Sequence, residues 1–461
     1  MDKNGDKNGA KEEKAEYEGQ RPARKIAFYT LGCKVNQFDT EGLITESRAR
    51  GYEVVAFDES AAVYVINTCT VTKEAERKAR QLMRRVKRQH PDAFLVVTGC
   101  FAQTGAEVLT ALPEVDLVVG VAGRGRLFQL LEEELTARRK NWVLNWTEAD
   151  GFEVFTPEFS GQTRAFLKVE DGCQAFCSYC KIPFARGPVR SLPPAQVMKE
   201  IERLLALDYK EIVLVGIHLG HYGIDLGTNL ASLLAEIEQE WGGKRPEWRL
   251  RLGSVDPTDF TPQLMEVLIP STLLCNHLHI PLQSGSGKML SLMNRDYSPD
   301  DYAGLVTLLR NGRPGLAVTT DLMVGFPGEA EADFDETLNF IQAIGFAKVH
   351  IFPYSLRPGT KAAQMKGHLP RRVKEERVKR AEAIARALAQ AYWKRLLDQV
   401  VEVLVEETNR DGYGEGLARE YVRVQVKEVQ EPNTLLHARI IRADREPLTG
   451  VAVAPPAGFG G

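Results

Sequence analysis

From Arg24 onward the chain alternates short apolar runs with longer amphipathic ones. KIAFYTL at 25–31, VYVIN at 63–67, FLVVT at 94–98 and VDLVVG at 115–120 are apolar at consecutive positions. A strand with one wet face alternates apolar with polar residues, and a strand covered on both faces does not. These runs therefore predict buried strands. Between them, 39–50 and 72–89 repeat apolar residues at helical spacing, with Gly51 closing the first and Pro91 following the second. Strands separated by helices predict an open, mostly parallel α/β sheet covered on both faces.

Residues 146–163 have mixed composition and no clean period, and read as a link. Six strand candidates follow at 165–169, 212–216, 249–253, 277–282, 317–324 and 348–354, with helical patterns between most of them. Such a series closes as a barrel, and six strands rather than eight predict a partial (β/α)6 barrel. After a charged helix at about 371–397 the texture changes. VVEVLVEE (400–407), YVRVQVK (421–427) and TLLHARIIRA (434–443) are short alternating strands between glycines and charged turns. They predict a small all-β module compatible with an OB-like barrel. Residues 1–23 repeat DKNG, mix both charges and read as a disordered tail, and the terminal PPAGFGG reads as frayed. The fold class is α/β, divided into the tail 1–23, a first domain 24–140, a central domain 160–392 and a last domain 393–455.

The 461 residues are 44% apolar and 26% charged, enough to bury a large core, which excludes disorder of the whole chain. No stretch approaches the roughly 18 apolar residues of a membrane span, and the N-terminus lacks an apolar signal region. Acidic residues in the tail count against a mitochondrial leader, so the expected location is cytoplasmic. A net charge of −3 does not announce a nucleic-acid binder, so RNA contact needs local patches. Residues 77–88 carry Lys or Arg at seven of twelve positions, a candidate phosphate-tracking face. Residues 371–380 carry six basic residues, but Glu375 and Glu376 are spaced to pair with Lys379 and Arg380 within the helix.

Seven cysteines in a reducing compartment point to metal or redox chemistry rather than a disulfide scaffold. Cys173, Cys177 and Cys180 form C-x3-C-x2-C after the first strand of the barrel-like region. One such loop wraps three thiolates around a compact centre. Three ligands are one short of a closed zinc site, and on a four-iron cluster they leave one iron open. In the zinc reading His218, His221 or Cys275 supplies the fourth ligand. Cys33, Cys69 and Cys100 each stand one or two residues past a predicted strand, in TLGC, INTC and VTGC, 36 and 31 residues apart. The C-terminal ends of parallel strands share one edge, so these three thiols are expected to converge there. A single such cysteine would read as a small buried hydrophobe, as Cys275 does. Three in register read as a second ligand set.

The C-x3-C-x2-C loop is the hallmark of radical S-adenosylmethionine enzymes. With the upstream three-cysteine region and the small C-terminal β module, the chain resembles the radical S-adenosylmethionine methylthiotransferase family over about residues 25–455. TLGCKVNQFDTE (30–41), VEDGCQAFCSYCKIPFARGPVRS (169–191), HIPLQSGSGKML (279–290), MNRDY (293–297), DLMVGFPGE (321–329) and FPYSLRPGTKAA (352–363) look like its ordered blocks. Leu31-Gly32-Cys33-Lys34-Val35-Asn36-Gln37 and DGYGEGLAREYVRV (411–424) are similar to the bacterial subgroup acting on tRNA N6-threonylcarbamoyladenosine. Lys181 departs from the apolar residue usual after the last cysteine and leaves the ligand set untouched.

The resemblance implies two [4Fe-4S] clusters and S-adenosylmethionine. Cys173, Cys177 and Cys180 would hold the radical cluster and act as the catalytic set, and Cys33, Cys69 and Cys100 the auxiliary cluster that carries the inserted sulfur. The implied reaction places a methylthio group at C2 of N6-threonylcarbamoyladenosine beside the anticodon. Isopentenyladenosine and a ribosomal protein are alternative targets, and a non-catalytic zinc and RNA-binding protein is the reading without the blocks. The implied partners are a tRNA anticodon stem-loop, bound with help from a TRAM-like last domain, an electron donor such as flavodoxin or ferredoxin, and a sulfur donor left open, with no membrane. Other barrel positions are further cofactor candidates. Gly216 would let the backbone approach the methionine part of the cofactor, or serve a turn. Ser254 would bond a ribose hydroxyl, and Gln283 with Ser284 would meet cofactor or base. Arg295 would pair with the cofactor carboxylate, or form a surface salt bridge. Asp321 reads as structural.

Overall fold

The computed structural model describes residues 24–137, 141–142, 146, 151–159, 163–244, 247–409, 412–427 and 431–455. The expected tail 1–23 and the last residues from 456 lie outside them. The first part is a six-stranded parallel sheet in the order β2-β1-β3-β4-β5-β6, with β1 Lys25–Thr30, β2 Glu53–Val55, β3 Val63–Thr68, β4 Phe94–Gly99, β5 Leu117–Val119 and β6 Asn141–Trp142. Its consecutive apolar residues serve two cores. Tyr64, Ile66, Leu95 and Val97 pack on Ala79, Met83 and Val86 of the helix Lys73–Gln89. Val63, Val65 and Val96 join Phe38, Leu43 and Phe128 in a core that continues into the barrel. The edge strands β2 and β6 are three and two residues long, too short to leave a period in the sequence. The helix Lys34–Ala49 starts directly after Cys33, five residues before the expected start, because Val35 and Phe38 already lie on its buried side.

The central part holds β7 Arg164–Lys168, β8 Glu170–Asp171, β9 Arg190–Ser191, β10 Glu211–Val215, β11 Arg249–Leu252, β12 His277–His279, β13 Ala317–Val324 and β14 Lys348–Pro353. Two parallel sheets, β11-β10-β7 and β12-β13-β14, are joined by single bridges at Leu250–Leu274 and Ser254–His279. Together they make the expected six-stranded partial barrel, with β12 only three residues long. Ala165, Leu167, Ile212, Leu214, Leu250 and Leu278 pack into the core under the outer helices. The alternate positions, among them Phe166, Lys168, Arg251, His277 and Thr319, turn to the concave side. That side is closed by the first part, since Lys168 Nζ bonds Asp39 of the helix Lys34–Ala49 at 2.7 Å.

After the helix Arg371–Arg395 comes a closed barrel in the order β15-β16-β17-β19-β18, with β15 Val400–Thr408, β16 Tyr413–Ala418, β17 Arg423–Lys427, β18 Leu435–Arg442 and β19 Leu448–Val453. It has five strands where the sequence pattern showed three. β16 reads YGEGLA and lacks the β-branched run that marks a strand. Glycine is needed there, since a Cβ on Gly416 would fall 1.9 Å from the Leu404 carbonyl oxygen. The barrel docks on the starts of β10 and β11. Arg249 donates to Leu417 O at 2.7 Å and Arg251 to Ala418 O at 3.1 Å, while Glu211 accepts from both guanidinium groups. Among the described residues no helix is long and apolar enough to cross a membrane.

Candidate functional site

Cys33, Cys69 and Cys100 gather at the C-terminal edge of the first sheet. Cys33 caps the helix Lys34–Ala49, and Cys100 opens the helix Cys100–Thr104. Gly32, at φ +112°, brings the loop after β1 onto Cys69, for its missing Cβ would lie 3.1 Å from Cys69 Sγ. Asn36 pins the same loop by donating to Leu31 O at 2.7 Å and to Thr68 O at 3.1 Å. Cys33 is exposed while Cys69 and Cys100 are buried behind it. Burial, reinforced by Cys100, pushes the Cys69 thiol up to about 12.

Cys173, Cys177 and Cys180 occupy the loop between β8 and β9, which pair antiparallel through Glu170–Ser191 and Asp171–Arg190. Gly172 makes the turn into it at φ +105°, and a Cβ there would fall 1.9 Å from the Pro188 carbonyl oxygen. Burial and then Cys177 push the Cys180 thiol up to about 12. All seven cysteines are free thiols. Among the described residues only His218, His221 and Asp259 bring three donor atoms within 4.8 Å of one another. A zinc ion at about 2.3 Å from each sulfur would hold thiolates about 3.8 Å apart. Neither cysteine set is drawn that tight, and three thiols without a fourth protein donor are the set that leaves one iron of a four-iron cluster open. The proposed fourth zinc ligands do not complete a site. His218 Nδ1 stands 3.6 Å from Cys173 Sγ, but its Nε2 is paired with Asp259 at 2.9 Å. Burial works against a charged His218, yet its bonds to Asp259 and Cys173 raise it to about 10. Cys275 is buried beside Arg251 and Glu211.

A cavity of about 550 Å³ has Cys33 on one wall and Cys173, Cys177 and Cys180 on another, with Cys69 and Cys100 buried behind Cys33 and outside its lining. Gly216, Ser254, Gln283 and Arg295 all line it. Gly216 is also demanded by a neighbour, as a Cβ there would fall 2.6 Å from Glu170 Oε2. Gln283 is held at φ +65°, a strained conformation for a residue with a Cβ. Arg295 is ion-paired with Asp256 at 2.5 Å, and its Nη1 lies 3.6 Å from Cys177 Sγ. Its fork is therefore partly engaged inside the protein. Lys34 also lines the cavity, with its amine lowered to about 8 by burial and by Arg251 and Arg164.

Arg186 has no counterpart in the sequence reading. It ends the helix Ile182–Arg186 beyond the cysteine loop and is fully buried. Its Nε donates to Cys100 Sγ at 3.3 Å and its Nη2 to Asn36 Oδ1 at 2.5 Å. Its Nη1 reaches Asp39 at 3.0 Å and Asp171 at 2.9 Å. One guanidinium thus ties the loop of one cysteine set to a thiol of the other. The only sequence signal was its place in the block KIPFARGPVRS.

Residues 25–120 match the model described as Uncharacterized protein family UPF0004, and residues 167–341 match that of the Radical SAM superfamily. The threonylcarbamoyladenosine tRNA methylthiotransferase MtaB of Bacillus subtilis is 41% identical over 91% of this chain and 94% of its own. The tRNA-2-methylthio-N(6)-dimethylallyladenosine synthase of Moorella thermoacetica is 37% identical over 83% of this chain and 88% of its own. Among solved structures, the radical S-adenosylmethionine methyltransferase TsrM of Kitasatospora setae, with cobalamin and a [4Fe-4S] cluster bound, is similar in fold. It superposes with a TM-score of 0.54 at 16% identity, covering 74% of each chain. The two gathered cysteine sets and near full-length relatives agree: the chain belongs to the radical S-adenosylmethionine methylthiotransferase family.

Proposed function

We propose that this enzyme attaches a methylthio group to C2 of N6-threonylcarbamoyladenosine next to the anticodon of tRNA, giving 2-methylthio-N6-threonylcarbamoyladenosine. The observation that carries it is the single cavity onto which Cys33 of one set and all three cysteines of the other open. The names of the relatives at 41%, 40% and 36% identity support the nucleoside. The cofactors are S-adenosylmethionine and [4Fe-4S] clusters. Cys173, Cys177 and Cys180 hold the radical cluster, and Cys33, Cys69 and Cys100 the auxiliary one. When bound, these groups supply the electron that cleaves the sulfonium and the sulfur that is inserted. The chain supplies position and shelter. Ser254, Gln283 and Arg295 orient the cofactor from the barrel wall, while Gly216 keeps Glu170 close behind it. Arg186 places a fixed positive charge on Cys100, favouring the thiolate as a ligand.

In this reading 24–140 carries the sulfur site, 160–392 the radical site and 393–455 an RNA-binding module. The anticodon stem-loop approaches in the cytoplasm, and a flavodoxin- or ferredoxin-like donor provides the electron. Deleting the gene and profiling tRNA nucleosides by mass spectrometry tests this. The methylthiolated nucleoside is expected to vanish and its unthiolated precursor to accumulate. An unchanged profile, or loss of the isopentenyl derivative instead, defeats the substrate claim. Anaerobically reconstituted protein is expected to hold about eight irons, falling to about four in a Cys33/Cys69/Cys100→Ala triple variant. About four in both would remove the sulfur site.

A further inference from the structure

The charges around the cavity leave one cation over. Of the two carboxylates lining it, Asp256 is paired with Arg295 at 2.5 Å and Asp321 lies 3.4 Å from His279 Nε2. At the base of the barrel Glu211, Glu402 and Glu406 are already taken by Arg164, Arg249 and Arg251, with Arg419 and Arg423 also reaching Glu402 and Glu406. Burial and Arg251 push His277 well below its usual range, so it adds no cation there. Lys34 is the surplus. Among the described residues it has no carboxylate within the 4.0 Å of an ion pair. Its ammonium lies instead 6.0 Å from the Phe166 ring centre and 5.9 Å from that of Tyr421.

This place is built from three parts of the molecule. Lys34 follows Cys33 in the first turn of the helix Lys34–Ala49, whose N-terminus adds positive potential. Phe166 comes from the barrel and Tyr421 from the C-terminal β-barrel. Tyr421 is held at φ +64° and stacked on His277 with ring centres 4.2 Å apart. Such a backbone conformation persists where the surroundings over-determine it. A half-buried cation whose neighbours are two ring faces lacks a charged partner until an anion arrives.

We propose that Lys34 is a specificity-determining residue that pairs with the carboxylate on the N6 substituent of the target base. This rests on the substrate proposed above. A threonylcarbamoyl group ends in a carboxylate, whereas an isopentenyl group is uncharged and would leave Lys34 desolvated and unpaired. A site built for a charged group rejects an isostere without it far more strongly than an apolar pocket rejects an extra methylene. Lys34 adjoins Cys33, the exposed thiol of the set assigned to the sulfur, which places it beside the reacting base rather than on an outer phosphate-tracking face.

The test uses the reconstituted full-length enzyme and three synthetic anticodon stem-loops, bearing N6-threonylcarbamoyladenosine, its methyl ester, or N6-isopentenyladenosine. Wild type should prefer the acid to the ester by about tenfold or more in Kd and KM, in line with one charge-assisted bond. Lys34→Gln should erase that preference through KM rather than kcat, and Lys34→Arg should keep it. Iron content and the Kd for S-adenosylmethionine should match wild type in both variants. The inference is overturned if Lys34→Gln keeps the preference. It is equally overturned if the variant weakens all three RNAs alike, as a phosphate contact would, or weakens the cofactor. A Lys34→Gln chain that loses iron leaves the decision to wild type, where indifference between acid and ester overturns the inference. A wild type that modifies only the isopentenyl RNA, or none, overturns the substrate reading instead.

Discussion

Arg186 is the residue on which the two cysteine sets depend together. It is fully buried against Asp39, Asp171, Asn36 and Cys100. Removing its guanidinium strips one cation from Asp39 and Asp171, which keep Arg124, Lys168 and Arg190, and breaking into such a buried network costs about 3 kcal/mol. Arg186→Gln is therefore expected to lower unfolding free energy by that much and to shed iron from the Cys33 set first. Arg186→Lys restores the charge but not the fork, and should fall between. Denaturant midpoints and iron content matching wild type would remove Arg186 from this role. Burial alone would raise the Asp39 carboxyl, but Arg124, Lys168 and Arg186 hold it well below the usual range. Glu211 is likewise held down against burial, by Arg251 and Arg249. A depressed carboxylate stabilises the fold above its unfolded pKa and loses that contribution as pH falls through the folded one. The contribution of these two carboxylates should be constant from pH 7 to about 5 and drop below about 4. Asp39→Asn should show a shallower acid dependence, and equal slopes would count against the network.

Among the elements, the loop between β8 and β9 and the helix Lys73–Gln89 carry separate expectations. Gly172→Ala asks for a Cβ 1.9 Å from a carbonyl oxygen at φ +105°, so the pairing of β8 with β9 must open. Iron should be lost from the Cys173 set while the Cys33 set stays loaded, and full occupancy of both would contradict this. On the helix, Arg77 pairs with Glu74, Arg84 with Glu114 and Lys87 with Asp116. Arg85 and Arg88 are exposed and form no ion pair among the described residues. Arg85→Glu with Arg88→Glu should weaken tRNA binding and reduce the salt slope by about one per lost phosphate contact. In the other basic stretch Arg371, Arg377 and Arg380 are tied to Glu375, Glu329 and Glu331. Reversing Arg371 there should leave RNA affinity unchanged, and an effect as large as on the first helix would reverse this assignment.

At the scale of the whole molecule, one apolar core runs from Val63 and Phe128 of the first sheet through Phe155 and Phe159 to Leu167 and Leu214 of the barrel. Arg249 and Arg251 fasten the C-terminal barrel to the same base. The order of strands and helices, the two cysteine sets and the four cavity residues were legible in the sequence. Each depends on periodicity or spacing within a few turns of chain, and strand ends in a parallel sheet share an edge by topology. The short strands β2 and β6 and the glycine-rich β16 were invisible, because pairing with neighbours rather than local propensity makes them strands. The contact of Arg186 with Cys100 spans 86 residues, and Lys34 meets Tyr421 from the far end of the chain. A side chain's period sets the face it takes, but its partner is set by how separate layers pack. The sequence by itself thus determined which thiols and which strand ends could do chemistry. Only the tertiary structure decided that Cys33 and the C-x3-C-x2-C loop share one cavity with a lysine that has no carboxylate partner beside the exposed thiol.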